Sequence, residues 1–207
     1  MDKKKIIFVV DLQHDFYSKN GSLYVNDGEI IADNIVKYID TNKKNIEKVI
    51  CTVDWHKSCD KSFKINEGTG SWPIHCVQFT EGAMIYPKLT TCLIDNNINY
   101  SVFTKGDIPT HEEYGAFETK LSYSRNKLTN NNMILLSNHG HTSATYIDID
   151  YDKYDYYICG IAGDYCVYQT YLNLNKYGII TKPIDDCIAW INDKFVFFVK
   201  SIVKILL

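Results

Sequence analysis

The chain has 207 residues, of which 45% are hydrophobic and 23% charged, with a net charge of -3. That balance suits a globular protein able to bury a core without disulfide staples, and it gives no basic footprint for nucleic acid. The seven cysteines, at 51, 59, 76, 92, 159, 166 and 187, are odd in number and follow no repeating spacing; they argue for reduced thiols inside a cell rather than a secreted disulfide framework.

Met1 to Lys5 is charged, and the apolar run after it meets Asp11 too soon for a signal peptide, so the expected location is cytoplasmic. Asn20-Gly21-Ser22 matches a glycosylation acceptor, a coincidence in a chain without a secretory signal. Lys5 to Val10 contains Ile-Ile-Phe-Val-Val, which suits a strand buried on both faces, with Asp11 at its carboxyl end. Ile30, Ile31, Ile35, Val36 and Ile39 recur at helical spacing after Asp27, which is placed to cap. Val49 to Val53 reads as a second strand ending in Asp54-Trp55-His56. Further apolar runs follow at Tyr100 to Phe103, Met133 to Leu136, Tyr156 to Gly160 and Gly178 to Thr181. Strands alternating with helical segments predict an α/β protein: a three-layer, doubly wound, mostly parallel sheet of six strands, forming one domain over residues 1–207.

Two stretches carry less pattern. Asn130 to Tyr154 is mostly polar and reads as surface loop, with His139 and His141 facing solvent rather than holding a metal. Phe195 to Leu207 is apolar but too short and too charged to span a bilayer, which predicts a packing helix and no membrane partner.

Three groups of residues could carry chemistry. Gly160-Ile161-Ala162-Gly163-Asp164-Tyr165-Cys166 ends an apolar run and opens a helical segment. A thiol beside the free N-H groups and positive dipole end of a helix is favoured as thiolate, so Cys166 is a candidate nucleophile. Asp11, at the end of the first strand, could take its proton. Lys105, just past Phe103 and before Gly106, could stabilise developing negative charge and keep a thiol ionised. Asp54 and His56 alternate on an extended segment and so project to one side, while His75 sits in the turn Trp72-Pro73-Ile74-His75-Cys76. One carboxylate and two imidazoles fit a divalent ion with open positions. A closed zinc site from His56, Cys59, His75 and Cys76 is the rival, made awkward by the adjacency of His75 and Cys76.

With these segments in order, the chain resembles the isochorismatase-like cysteine hydrolase superfamily, and within it the nicotinamidases, which are also active as pyrazinamidases. Five blocks carry the likeness: Asp11-x-Gln13-x-Asp15-Phe16; Asp54-Trp55-His56 with Ser62-Phe63; Trp72-Pro73-x-His75-Cys76-Val77 with Thr80-x-Gly82-Ala83 and Pro87-x-Leu89; Lys105-Gly106; and Gly160 to Thr170. The resemblance implies hydrolysis of nicotinamide to nicotinate and ammonia through a thioester, in the salvage of NAD. It implies a catalytic triad of Asp11, Lys105 and Cys166. It also implies metal ligands Asp54, His56 and His75 for a divalent ion, best zinc, with iron or manganese as alternatives. Phe16, Trp72 and Ile161 become substrate-binding residues, and a cis peptide between Ile161 and Ala162 aims the backbone N-H groups of Ala162 and Cys166 as an oxyanion hole. The partner expected is small-molecule nicotinamide, with a homo-oligomer allowed. Against the family pattern, residues 57–61 lack a further histidine that many relatives carry, which leaves Asp60 or Ser62 to replace it. Gly163 stands where a hydroxyl residue is common, and the polar stretch after Phe117 is long.

Overall fold

The structure, a computed structural model, describes residues 3–64, 70–125, 132–137 and 144–192. In chain order its elements are β1 (Lys4–Val10), α1 (His14–Tyr17), α2 (Gly28–Asn42), β2 (Ile46–Asp54), α3 (Pro87–Asp95), β3 (Tyr100–Lys105), β4 (Thr119–Arg125), β5 (Asn132–Ser137), β6 (Ala144–Ile149), β7 (Tyr154–Ile161), α4 (Tyr168–Lys176) and β8 (Thr181–Ala189).

The main sheet is five-stranded, in the order β3-β2-β1-β7-β8, and every neighbouring pair is parallel. β1 lies at its centre, which is why Ile6 to Val10 is an unbroken apolar run with both faces covered. From β1 the chain steps outward through β2 to β3, then returns beyond β1 to β7 and β8. Right-handed crossovers in opposite directions put α2 and α3 on one face and α4 on the other, so the α/β architecture is as the sequence predicts. The reversal of direction falls between β1 and β7, the point where such sheets open a crevice at their carboxyl ends. Asp11, Asp54, Lys105 and Cys166 all follow or end strands at that edge.

The sequence reading differs from the structure at several places. Met133 to Leu136 is a strand, but it belongs to a second, antiparallel sheet in the order β4-β5-β6 rather than to the main one. Residues 119–125 and 144–149, read as loop or unassigned, are its other two strands. A thin sheet with few apolar alternations escapes a search for buried strands. The last strand starts at Thr181, where the predicted run ended, and carries the acidic residues Asp185 and Asp186. Asp27 occupies the cap position of α2 in a left-handed conformation, yet its side chain makes no capping bond. The helix buries Ile31, Ile35 and Ile39 and leaves Ile30 exposed, a normal amphipathic face. The predicted helix at 195–207 and the pair His139 and His141 lie outside the described residues. Among the described residues no helix is long and apolar enough to cross a membrane.

Candidate functional site: a buried charge cluster beside a carboxylate and two imidazoles

Register brings the cluster together. Asp54 ends β2 directly opposite Lys105 at the end of β3, so both side chains leave the sheet on one face. Asp11 follows β1 with a positive φ of 48°, which turns its carboxylate toward the same point. Its Oδ1 accepts the Thr52 hydroxyl at 2.6 Å, and its Oδ2 lies 2.8 Å from Lys105 Nζ. Lys105 also donates to Asp54 Oδ1, to the Glu113 carbonyl at 3.3 Å and toward Cys166 Sγ at 3.8 Å. Lys105 and Asp11 are wholly buried. The three residues read from the sequence as a triad therefore meet, with Asp54 as a fourth member.

Gln13, seen in sequence only as an amide near a strand end, fixes this arrangement. Its side chain donates to the Asp54 carbonyl at 2.7 Å and to the Ala83 carbonyl at 3.0 Å, and accepts from the Asp54 N-H at 2.7 Å. Asp15 is a loop anchor instead, accepting the backbone N-H groups of Cys76 and Ser22.

Burial and charge then compete. Burial pushes Asp11 up, and the Asp54 charge adds to this, against the pull of Lys105. Burial also pushes the Cys166 thiol well above its ordinary range; Lys105 draws it down, and the carboxylates of Asp11 and Asp54 raise it again. Burial thus opposes the helix-end dipole that the turn Gly163–Val167 offers the thiol. Burial alone would lower Lys105, but Asp11 and Asp54 hold it well above the usual lysine range. Asp54, despite burial, is pulled below the usual carboxylate range by Lys105 and then by His56 and His75.

The other oxygen of Asp54 faces the histidines. Oδ2 is 3.7 Å from His56 Nε2 and 3.9 Å from His75 Nε2, and one ligand atom from each of the three residues lies within 4.8 Å of the others. His75 Nδ1 is 2.8 Å from the Pro73 carbonyl, so that nitrogen carries the proton and Nε2 keeps its lone pair. Burial lowers His75 below its ordinary value, which favours the neutral, ligating form. His56 Nδ1 meets Asp60 Oδ2 at 3.2 Å. Burial would lower His56 too, yet the neighbouring carboxylates of Asp54 and Asp60 raise it to about 10. Three buried donors, one hard oxygen and two imidazole nitrogens, fit a divalent ion of the zinc type. The rival site does not assemble: Cys59 is exposed, and Cys76 Sγ turns to the Gly82 carbonyl at 3.7 Å. Gly106, at φ 72°, passes so close to His56 that a Cβ would lie 2.6 Å from its Cε1, which accounts for the glycine after Lys105.

A pocket opens above the thiol. Phe16, Trp72 and His75 line it with Ala162, Tyr165 and Cys166, as do Asp54, Glu112, Glu113 and Tyr114. Phe16 and Trp72 stand where the sequence reading put them. Ile161 does not: it is fully buried in the core, and Ala162 faces the pocket in its place. Ile161 is the last residue of β7, and Ala162 lies just past the strand end. The Ile161–Ala162 peptide is cis. Tyr114 and Tyr165 were missed. Tyr114 donates no pattern in its polar loop, but Tyr165 directly precedes the candidate nucleophile and was open to suspicion on that ground. The two tyrosines and Trp72 form an aromatic wall, with Trp72 Nε1 donating to the Tyr114 hydroxyl at 3.0 Å. Gly163 also finds its reason: a Cβ there would lie 2.5 Å from the Trp190 indole, so no hydroxyl residue fits unless the ring moves.

A thiol, a carboxylate and an ammonium gathered at the carboxyl edge of a parallel sheet are the groups that a nucleophile site on an α/β fold requires. No protein-family model matches the chain. It is 28% identical over 204 residues to the nicotinamidase of Escherichia coli (strain K12), covering 91% of this chain and 84% of that protein. It is 29% identical over 189 residues to the nicotinamidase/pyrazinamidase of Mycobacterium tuberculosis, covering 91% and 88%. Among solved structures, the yeast nicotinamidase bound to the inhibitor nicotinaldehyde matches with a TM-score of 0.72 at 24% identity, covering 97% of this chain and 95% of that one. The pyrazinamidase of Pyrococcus horikoshii in complex with zinc matches with a TM-score of 0.65 at 23% identity, covering 97% and 93%. The likeness to isochorismatase-like nicotinamidases read from the sequence is borne out by these relatives, and the fold is the one nicotinamidase structures share.

Proposed function

We propose that this chain is a nicotinamidase, a cysteine amidohydrolase that converts nicotinamide to nicotinate and ammonia. The observation that carries the reading is the convergence of Asp11, Lys105 and Cys166 under an aromatic pocket, in a chain similar to nicotinamidases over nine-tenths of its length.

The steps follow from the residues. A substrate amide held between Phe16 and Trp72 presents its carbonyl carbon to Cys166. Asp11 takes the proton from Sγ as the sulfur attacks, so no standing thiolate is required. Negative charge passes to the carbonyl oxygen, where the N-H groups of Ala162 and Cys166 receive it. Asp11 returns the proton to the leaving nitrogen, the C-N bond breaks and ammonia departs, leaving a thioester. Water then gives a proton to Asp11 and attacks the thioester carbon; the C-S bond breaks, and Sγ recovers its proton. Lys105 keeps the pair of carboxylates from repelling one another through both halves. A divalent ion on Asp54, His56 and His75, zinc by preference, would supply a Lewis-acid contact for the ring nitrogen of the substrate. The reading carries with it one working domain over residues 1–207 and a place in cytoplasmic pyridine nucleotide salvage.

Ammonia release from nicotinamide by purified, metal-supplied protein is the test. Release is expected from the wild type, with a loss of at least about a thousandfold in Cys166→Ala. A wild type that releases none overturns the function, and an active Cys166→Ala overturns the nucleophile.

A further inference from the structure

Asp60 touches the outer side of His56. Its Oδ2 meets Nδ1 at 3.2 Å, while Nε2 on the opposite side of the ring faces Asp54. The carboxylate is itself held by its loop: Oδ1 accepts the Ser62 N-H at 2.9 Å, and the Asp60 N-H donates to the Lys57 carbonyl at 3.0 Å. It is buried, at 3% exposure, so the contact is made away from bulk water. Asp60 is absent from the pocket that Asp54, His75 and Cys166 line; it borders a separate polar cavity with Ser62, Trp72 and His111. A residue on that side of the imidazole is in the wrong place to share an ion with Asp54.

We propose that Asp60 is a positioning residue for the metal centre: it fixes the His56 ring and directs Nε2 at the ion held with Asp54 and His75. The inference rests on the reading of those three residues as a metal site. An imidazole that donates Nδ1-H to a carboxylate has one tautomer and one orientation, and its other nitrogen becomes a stronger ligand. The two histidines are thereby held unequally, His75 by the neutral Pro73 carbonyl and His56 by a full negative charge.

The test is zinc affinity by chelator competition on the full chain, for the wild type, Asp60→Asn and Asp60→Ala, with the absorption spectrum of the cobalt(II)-loaded proteins alongside. Asp60→Ala should bind zinc about 10- to 100-fold more weakly. Asp60→Asn keeps an oxygen that can accept from Nδ1 but loses the charge, so its loss should be smaller yet measurable, up to about tenfold, and its cobalt spectrum at saturation should match the wild type. Wild-type affinity in Asp60→Ala overturns the proposal. If that variant does not fold, wild-type affinity in Asp60→Asn overturns it. A changed cobalt spectrum in Asp60→Asn makes Asp60 a ligand and overturns it too. A wild type that binds zinc as expected but releases no ammonia sinks the proposed function and leaves this inference standing; a wild type that binds no zinc removes the metal site and this inference with it.

Discussion

Lys105 and Lys88 make nearly the same contacts in opposite surroundings. Lys105 lies 2.8 Å from Asp11 at zero exposure, and Lys88 lies 2.9 Å from Asp33 with both side chains more than half exposed. Each carboxylate also accepts a hydroxyl at 2.6 Å, from Thr52 in the first case and from Tyr86 in the second. Geometry alone would rank them equal. Solvent separates them: water can replace either partner of Lys88, whereas nothing can replace Lys105 between two carboxylates that have lost their hydration.

The sharpest way to break that contrast is Lys105→Met. It leaves Asp11 and Asp54 facing one another without a cation, and unfolding by denaturant should show a loss of about 3–5 kcal/mol together with abolished hydrolysis. Thr52→Val removes the hydroxyl that donates to Asp11 Oδ1, and the same measurement should give about 1.5–3 kcal/mol, the range for a buried bond to a charged group. Cys51 extends the comparison to a neutral group, its thiol being pushed up from 9.0 to about 12 by burial. Above about pH 9 the unfolded chain gives up this proton while the folded chain keeps it, so stability falls as pH rises toward the folded value, by about 1.4 kcal/mol per unit. Denaturant midpoints taken across that window under reducing conditions should fall less steeply for Cys51→Ala. Lys88→Met should leave stability unchanged within error at ordinary salt; a loss as large as that of Lys105→Met would remove the distinction.

Much of this site was legible because parallel sheets put their chemistry at strand ends. Asp11, Asp54 and Lys105 each closed or followed an apolar run, and the alternation of Asp54 and His56 announced a shared side. What register adds is invisible in one dimension. That Asp54 stands opposite Lys105, and so belongs to both groups, depends on β2 and β3 pairing at one offset rather than another. At Cys166 a strand-to-helix turn reveals a dipole but says nothing of the burial that opposes it. Gln13 and Asp60 act through the backbone and through a neighbouring ring, and neither kind of contact leaves a spacing pattern. Of the β4-β5-β6 sheet only β5 was legible, β4 and β6 lacking a continuous apolar run, and Gly163 made sense only with Trp190, 27 residues later, lying over it.

The two oxygens of Asp54 answer to different masters, Oδ1 to Lys105 and Oδ2 to the histidine pair. Replacing His56 or His75 would therefore empty the proposed ion site of a donor while Lys105 keeps its counter-charge. Position 54 offers no such route. It is pinned twice, and even without an ion the buried ammonium of Lys105 would still require the carboxylate.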